Sequence, residues 1–248
     1  MTGCQCVPEF QDATKIISAA LGTGPEEGEA LDVDGNGTLD NAFGGLGGLA
    51  NGPLADAVAS GAVMLLAEFR DRTAMLVTMA VYNGSLHPDH ASCDFQTQTC
   101  GYVVDPAMVL PDTCLPLVSM PGTLSGNNIQ AGGPGTSMPF SIPITDTAVL
   151  DITLHMVQFQ GTLDIQNGEV VGFEGILAGA ITEANLMEAI DALPPDALAG
   201  IGMTPAQLKM LLPALVPNDV STTGGALNAK SIGLKLTAID GWILGVGN

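Results

Sequence analysis

Basic residues are nearly missing from this chain. Lys and Arg together number 6 against 26 Asp and Glu, for a formal net charge of −20 over 248 residues. Without a basic patch to neutralise phosphates, a nucleic-acid partner is not expected. Aromatic residues make up 4% of the chain, with one Trp and two Tyr. That supply is poor for the stacked platforms of a carbohydrate cleft. No apolar run approaches the roughly 20 residues needed to span a bilayer. Nucleophile-elbow, phosphate-loop and dinucleotide glycine motifs are all missing. With only 3 histidines, candidates for a general base are few.

What is present is one chemically legible stretch, Asp32-Val33-Asp34-Gly35-Asn36-Gly37-Thr38-Leu39-Asp40-Asn41. Oxygen-bearing side chains fall at alternate positions, Asp32, Asp34, Asn36 and Asp40, with the Thr38 carbonyl between them. Hard cations such as Ca²⁺ take six to eight such oxygens, and glycines at the turns let the loop wrap the ion. Gly35 and Gly37 occupy those turns. An EF-hand would place a bidentate Glu where Phe43 stands. The spacing instead resembles the short calcium loops of thrombospondin type 3 repeats and dockerins. The resemblance covers about ten residues and implies a Ca²⁺ site of Asp32, Asp34, Asn36, Thr38 and Asp40, with no fold or activity attached. The plainer alternative is an Asp/Asn/Gly turn that binds nothing. Glu26, Glu27 or Glu29 could fold back to add a carboxylate.

Thr2-Gly3-Cys4 looks like the tail of a bacterial lipobox, so Cys4 is the expected lipidation site. Five cysteines are an odd number for a secreted chain. Lipidation of Cys4 leaves Cys6, Cys93, Cys100 and Cys114 for two disulfides, Cys93 with Cys100 and Cys6 with Cys114. The alternative is a Cys4–Cys6 bridge, one further pair and a free thiol.

Apolar residues at 13, 16, 17, 20 and 21 predict a helix over 8–21, and Leu54, Val58, Ala62, Leu65 and Phe69 predict a second over 54–69. The run after Thr73 reads as a buried central strand turned by Asn83-Gly84, with a hairpin near Tyr102. Residues 119–137 read as a long loop. Alternation along 150–165 changes phase after Met156, the signature of a β-bulge. A three-residue turn, Gln166-Asn167-Gly168, then leads into the strand Val171 to Ile181, with Phe173 opposite Gly161 and Phe159 opposite Gly175. Thr182 caps one helix and Thr204-Pro205-Ala206-Gln207 boxes another, ended by Pro213. Ile232 to Ala238 form a last strand.

The expected fold is therefore α+β in a single domain, 1–248. A helical cap carrying the calcium loop (1–70) would sit on a β-rich body (71–248), an antiparallel, hairpin-rich sheet packed with several short helices. His87, His90 and Cys93 have the residue types of a zinc or copper site, although a solvated loop is the simpler account. His155 is the other histidine with a possible catalytic role, beside Asp151 and Thr153 on a polar stripe. The 11 Met residues read as core filler.

As a whole the layout resembles uncharacterised bacterial secreted lipoproteins, through Cys4, the Asp32–Asn41 segment and the strand and helix after Val170. That resemblance implies an extracytoplasmic place, secreted or anchored at the outer membrane, with membrane contact only through the N-terminal lipid. The leading expectation is a non-enzymatic, calcium-stabilised structural or binding module. The high mean hydropathy of +0.37 keeps a carrier of lipids or small apolar ligands as the alternative. An extracytoplasmic hydrolase is third.

Overall fold

The computed structural model describes residues 9–145, 148–199 and 202–247. In chain order these form β1 (Asp12–Leu21), α1 (Gly47–Ser60), β2 (Leu65–Arg70), β3 (Leu76–Leu86), β4 (Cys100–Val104), β5 (Ser119–Ser125) and β6 (Asn128–Gly132). Then come β7 (Ser137–Thr145), β8 (Ala148–Gln166), β9 (Glu169–Thr182), α2 (Glu183–Asp191), α3 (Pro205–Leu215) and β10 (Ala229–Val246).

Antiparallel pairing runs β10-β1-β2-β3-β5-β6-β8-β9 and returns to β10. The sheet thus closes on itself, which removes the exposed edges that invite aggregation. β4 pairs in parallel with the end of β10 and antiparallel with the end of β3. β7 lies beside the first half of β8. The sheet-rich, mostly antiparallel architecture with short helices agrees with the sequence expectation.

Inside the ring, Phe69 of β2 meets Phe173 of β9 edge-on at 5.9 Å, and Phe173 meets Phe159 of β8 at 5.1 Å. β2 and β9 are not neighbours in the sheet, so the first contact crosses the interior. Ile16, Met79, Met120, Ile129, Leu177 and Leu236 fill the space around this aromatic cluster and are buried. α1 packs Leu54, Ala57 and Val58 into the same core. The Asn51 carboxamide holds α1 to the end of β1, accepting from Leu21 N–H at 2.7 Å and donating to Leu21 C=O at 3.1 Å.

The β8–β9 hairpin forms as expected, but by a different turn. Asn167 (φ 55) and Gly168 (φ 91) both take left-handed backbone in a two-residue turn. An extra residue at Val171 then restores the facing of the apolar sets, because pairing steps from Ile165↔Val170 to Asp164↔Gly172. Gly161 consequently lies opposite Gly175, and Leu163 opposite Phe173. Phe159 still covers both glycines: a Cβ would lie 2.8 Å from its ring at Gly161 and 2.6 Å at Gly175. Glycine is needed there to make room for the ring.

Other expectations are corrected. Residues 12–21 are strand, not helix, so 1–70 is not a helical cap. Both faces of β1 are covered, and its register shifts between Ile16 and Ser18. Apolar residues therefore fall at neighbouring positions that mimic helical spacing. The predicted 54–69 helix stops at Ser60, because Gly61 takes left-handed backbone (φ 79) at its C-terminus and the chain re-enters the sheet as β2. The helix begins earlier, at Gly47, inside the glycine-rich run.

Gly84 lies within β3, where a Cβ would come 2.7 Å from Leu66 Cδ1. Residues 119–137 are not a loop: they hold β5 and β6, each with only a few inward apolar residues. α3 runs past Pro213 to Leu215. The caps at Thr182 and Thr204 form as read, and the last strand extends to Val246.

The outer face of β1, β2 and β3 buries unusual polar groups, with Phe10 against Tyr82 and Phe95 against Lys15. Glu68, fully buried, accepts from Tyr82 Oη at 2.6 Å, Gln11 N–H at 2.7 Å and Arg70 at 3.2 Å. Lys15 is also fully buried, and its Nζ has no hydrogen-bond partner among the described residues. Burial pushes its pKa down from 10.5 to about 8. Nζ lies 4.6 Å from the centroid of the Phe95 ring, which offsets part of that cost.

Two outcomes follow from this packing. Gly175→Ala should cost about 1–3 kcal/mol in urea unfolding, as overpacking does. Between pH 8 and 10.5 the unfolded chain holds the Lys15 proton and the folded chain does not. Stability should therefore rise with pH across that window. Lys15→Met should be more stable at pH 7 and should lose this slope, measured as the difference from the parent protein at each pH.

Candidate metal centre

Leu31 and Asp40 form an isolated β-bridge that pinches the base of the acidic loop. Within it, Asp32 accepts three backbone N–H groups: Gly35 at 2.8 Å and Asn36 at 3.0 Å on Oδ1, and Gly37 at 2.8 Å on Oδ2. Asp34 accepts from Asn36 N–H at 3.2 Å, and Asn36 Oδ1 accepts from Thr38 N–H at 2.7 Å. Gly35 (φ 76) and Gly37 (φ 88) supply the left-handed turns. One carboxylate oxygen from each of Asp32, Asp34 and Asp40 falls within 4.8 Å of the others.

Asp40 is the buried member at 4% exposure, and its Oδ2 accepts from Val33 N–H at 2.8 Å. Burial raises its pKa from 3.8 to about 6. The Val33 hydrogen bond opposes that rise, and the neighbouring Asp34, Asp219 and Asp32 charges add to it. Without a counter-charge, ionising Asp40 removes stability as pH climbs from about 4 to about 6. Asp219 is a contributor the sequence did not reveal, since it comes from a loop far along the chain. Its carboxylate accepts from Ser231 N–H at 2.8 Å and from Ser231 Oγ, which in turn accepts from Ala42 N–H at 2.8 Å.

The loop is bound to the outside of the ring. Leu31 and Val33 pack on Met156, Ile176, Ala178 and Ala180, which face outward from β8 and β9. The β8 bulge makes this possible, as the phase change in the sequence indicated. Met156 takes left-handed backbone (φ 52), and pairing steps from His155↔Ala180 to Gln158↔Ala178. Gln158 Nε2 then donates to the carbonyls of Asp32 at 3.1 Å and Val33 at 2.9 Å. Asn41 is a second clamp: it donates to the Gly24 and Glu29 carbonyls at 3.3 Å each and accepts from Gly233 N–H of β10 at 3.2 Å. Gln158 and Ser231 were not singled out in the sequence, because nothing local distinguishes them, and Asn41 closed the acidic stretch there without a role of its own.

Of the expected ligands, Asp32, Asp34 and Asp40 are brought together, while Asn36 uses its amide oxygen to close the turn. Glu29 is engaged elsewhere. Its hydrogen bond to Lys235 Nζ at 2.7 Å, and that from Thr23 N–H, hold its carboxyl below the usual range.

The cysteine and histidine candidates come out differently. Cys93 is bonded to Cys100, as expected, and so is not a metal ligand. Cys114 is disulfide-bonded, while Cys4 and Cys6 lie outside the described residues. His87 and His90 each use Nδ1 to accept a backbone N–H at 3.2 Å, from Asp89 and Gly101. The His87 ring thus fixes its own turn, while the His90 ring is tied to β4. His155 Nδ1 contacts Ser137 Oγ at 3.2 Å across β7 and β8, whereas Asp151 accepts from Ser141 at 2.6 Å. No helix among the described residues is long and apolar enough to cross a membrane.

Because Asn41 bonds three backbone groups at once, one of them buried, Asn41→Ala should destabilise the protein by about 1–3 kcal/mol in urea unfolding.

No family model matches this chain, and no curated protein or solved structure matches it.

Proposed function

We propose that this protein is a non-enzymatic, Ca²⁺-stabilised structural or binding module. In this reading it works outside the cytoplasm, either secreted or held at the outer membrane by lipid on Cys4. The observation that carries the calcium reading is the convergence of three carboxylates, one of them buried, in a loop clamped to the sheet. Three adjacent carboxylates repel one another, and among the described residues no cationic side chain is a hydrogen-bond partner of theirs. A divalent cation removes that penalty and takes the oxygen ligands it prefers. Asp32, Asp34 and Asp40 would hold it, with Asn36 and the Thr38 carbonyl as further oxygens. The ion would supply charge neutralisation and cross-link the 32–40 loop, which Gln158 and Asn41 hold against β8 and β10. The Cys93–Cys100 disulfide is consistent with an oxidising compartment.

The test is thermal unfolding in calcium and in chelator. At a calcium concentration 100 times the Kd, linkage gives about 2.7 kcal/mol, and the melting temperature should rise by several degrees. Asp34→Asn should abolish most of the rise. An identical melting temperature in both conditions would remove calcium from the account.

A further inference from the structure

Lys15 sits in the middle of β1, on the outer face of the ring, and has no exposed surface. A ring of chain closed by the Cys93–Cys100 disulfide, with a sequence separation of 7, lies over it. Phe95, inside that ring, is the lid: its face rests 4.6 Å from Lys15 Nζ. Gly61 gives the Phe95 ring its seat, since a Cβ there would lie 3.1 Å from it.

Most hydrogen bonds of this loop stay within it, Asp94 with Gln96, Thr97 and Gln98. Two side chains fasten it to the body: Gln96 donates to the Val58 carbonyl at 3.1 Å, and Thr99 donates to Asp240 at 3.2 Å. The covalent bridge closes this loop at its base, and Phe95 packs against the core beneath it. The amine beneath has no hydrogen-bond partner to lose when the lid lifts.

We infer that Lys15 is a masked amine, a modification site for acyl or carbonyl electrophiles that the Cys93–Cys100 bridge keeps closed.

The chain has four lysines, which makes the test internally controlled. An N-hydroxysuccinimide acetate ester serves as the probe, with mass spectrometry reading each site. The amine nitrogen bonds the acetyl carbon, N-hydroxysuccinimide leaves, and the displaced proton goes to water. Lys209 and Lys235 are accessible and should label in every sample, whereas Lys230 is buried far from the lid and reports global unfolding.

In the intact protein Lys15 should stay protected. The Cys93→Ser/Cys100→Ser variant, which leaves Cys114 unaltered, should raise Lys15 labelling several-fold relative to Lys230, because only the lid opens locally. Lys230 should remain protected. Phe95→Ala, with the bridge intact, should also raise Lys15 labelling, and it decides the question alone if the double variant does not fold. Unchanged Lys15 labelling in either folded variant, or Lys15 and Lys230 rising together, would overturn the inference.

Discussion

The bulge at Met156 governs how the outside of this protein is built. A regular strand would keep β8 in one phase, with every second residue facing the interior. One extra residue lets Ile152 and Leu154 face the main core while Met156 turns outward, and Val157 and Phe159 then face inward again. The outward Met156 joins Ile176, Ala178 and Ala180 in a small apolar floor on the outer side of the sheet. Leu31 and Val33 cover that floor, and Gln158 holds their backbone. The acidic loop is consequently not a free surface turn. It is pressed on the sheet by apolar contact beneath and by carboxamide clamps at both ends.

This arrangement explains why Asp40 is buried and therefore costly. A carboxylate on an open turn would be solvated and its repulsion screened. Pressed between Val33 and the Asp219–Ser231 pair, it has both little water and acidic neighbours. The same logic runs in reverse on the opposite flank of β1, where Glu68 is fully satisfied by Tyr82, Gln11 and Arg70 while Lys15 has only a ring face. A chain with 13% charged residues has buried two charges on one outer face of its sheet.

Elements with a single, clean period were readable in advance. The alternation of β8 and β9 exposed both the hairpin and the bulge, and Thr182 and Thr204-Pro205 announced their helices. β1 was misread because a strand covered on both faces has no alternation to show, and its register shift scatters apolar residues at helical intervals. β5 and β6 were missed because Gly, Ser and Asn dominate them, leaving too few inward side chains to form a pattern. The turn after Gln166 was assigned a third residue because the compensating one, Val171, lies beyond it in the strand.

For the candidate site, local sequence was sufficient to bring out the convergence of Asp32, Asp34 and Asp40 and the glycines that bend the chain around them. Alternate oxygens and left-handed turns are properties of ten consecutive residues. The sequence also marked Cys93 with Cys100, whose short separation favours closure. Only the tertiary structure decided that β1 belongs to a closed ring, that the loop rests on β8 and β9, and that Asp219 and Gly233 are its neighbours. Those relations join residues far apart along the chain. They depend on which strands pair and which faces meet, and no local pattern encodes either.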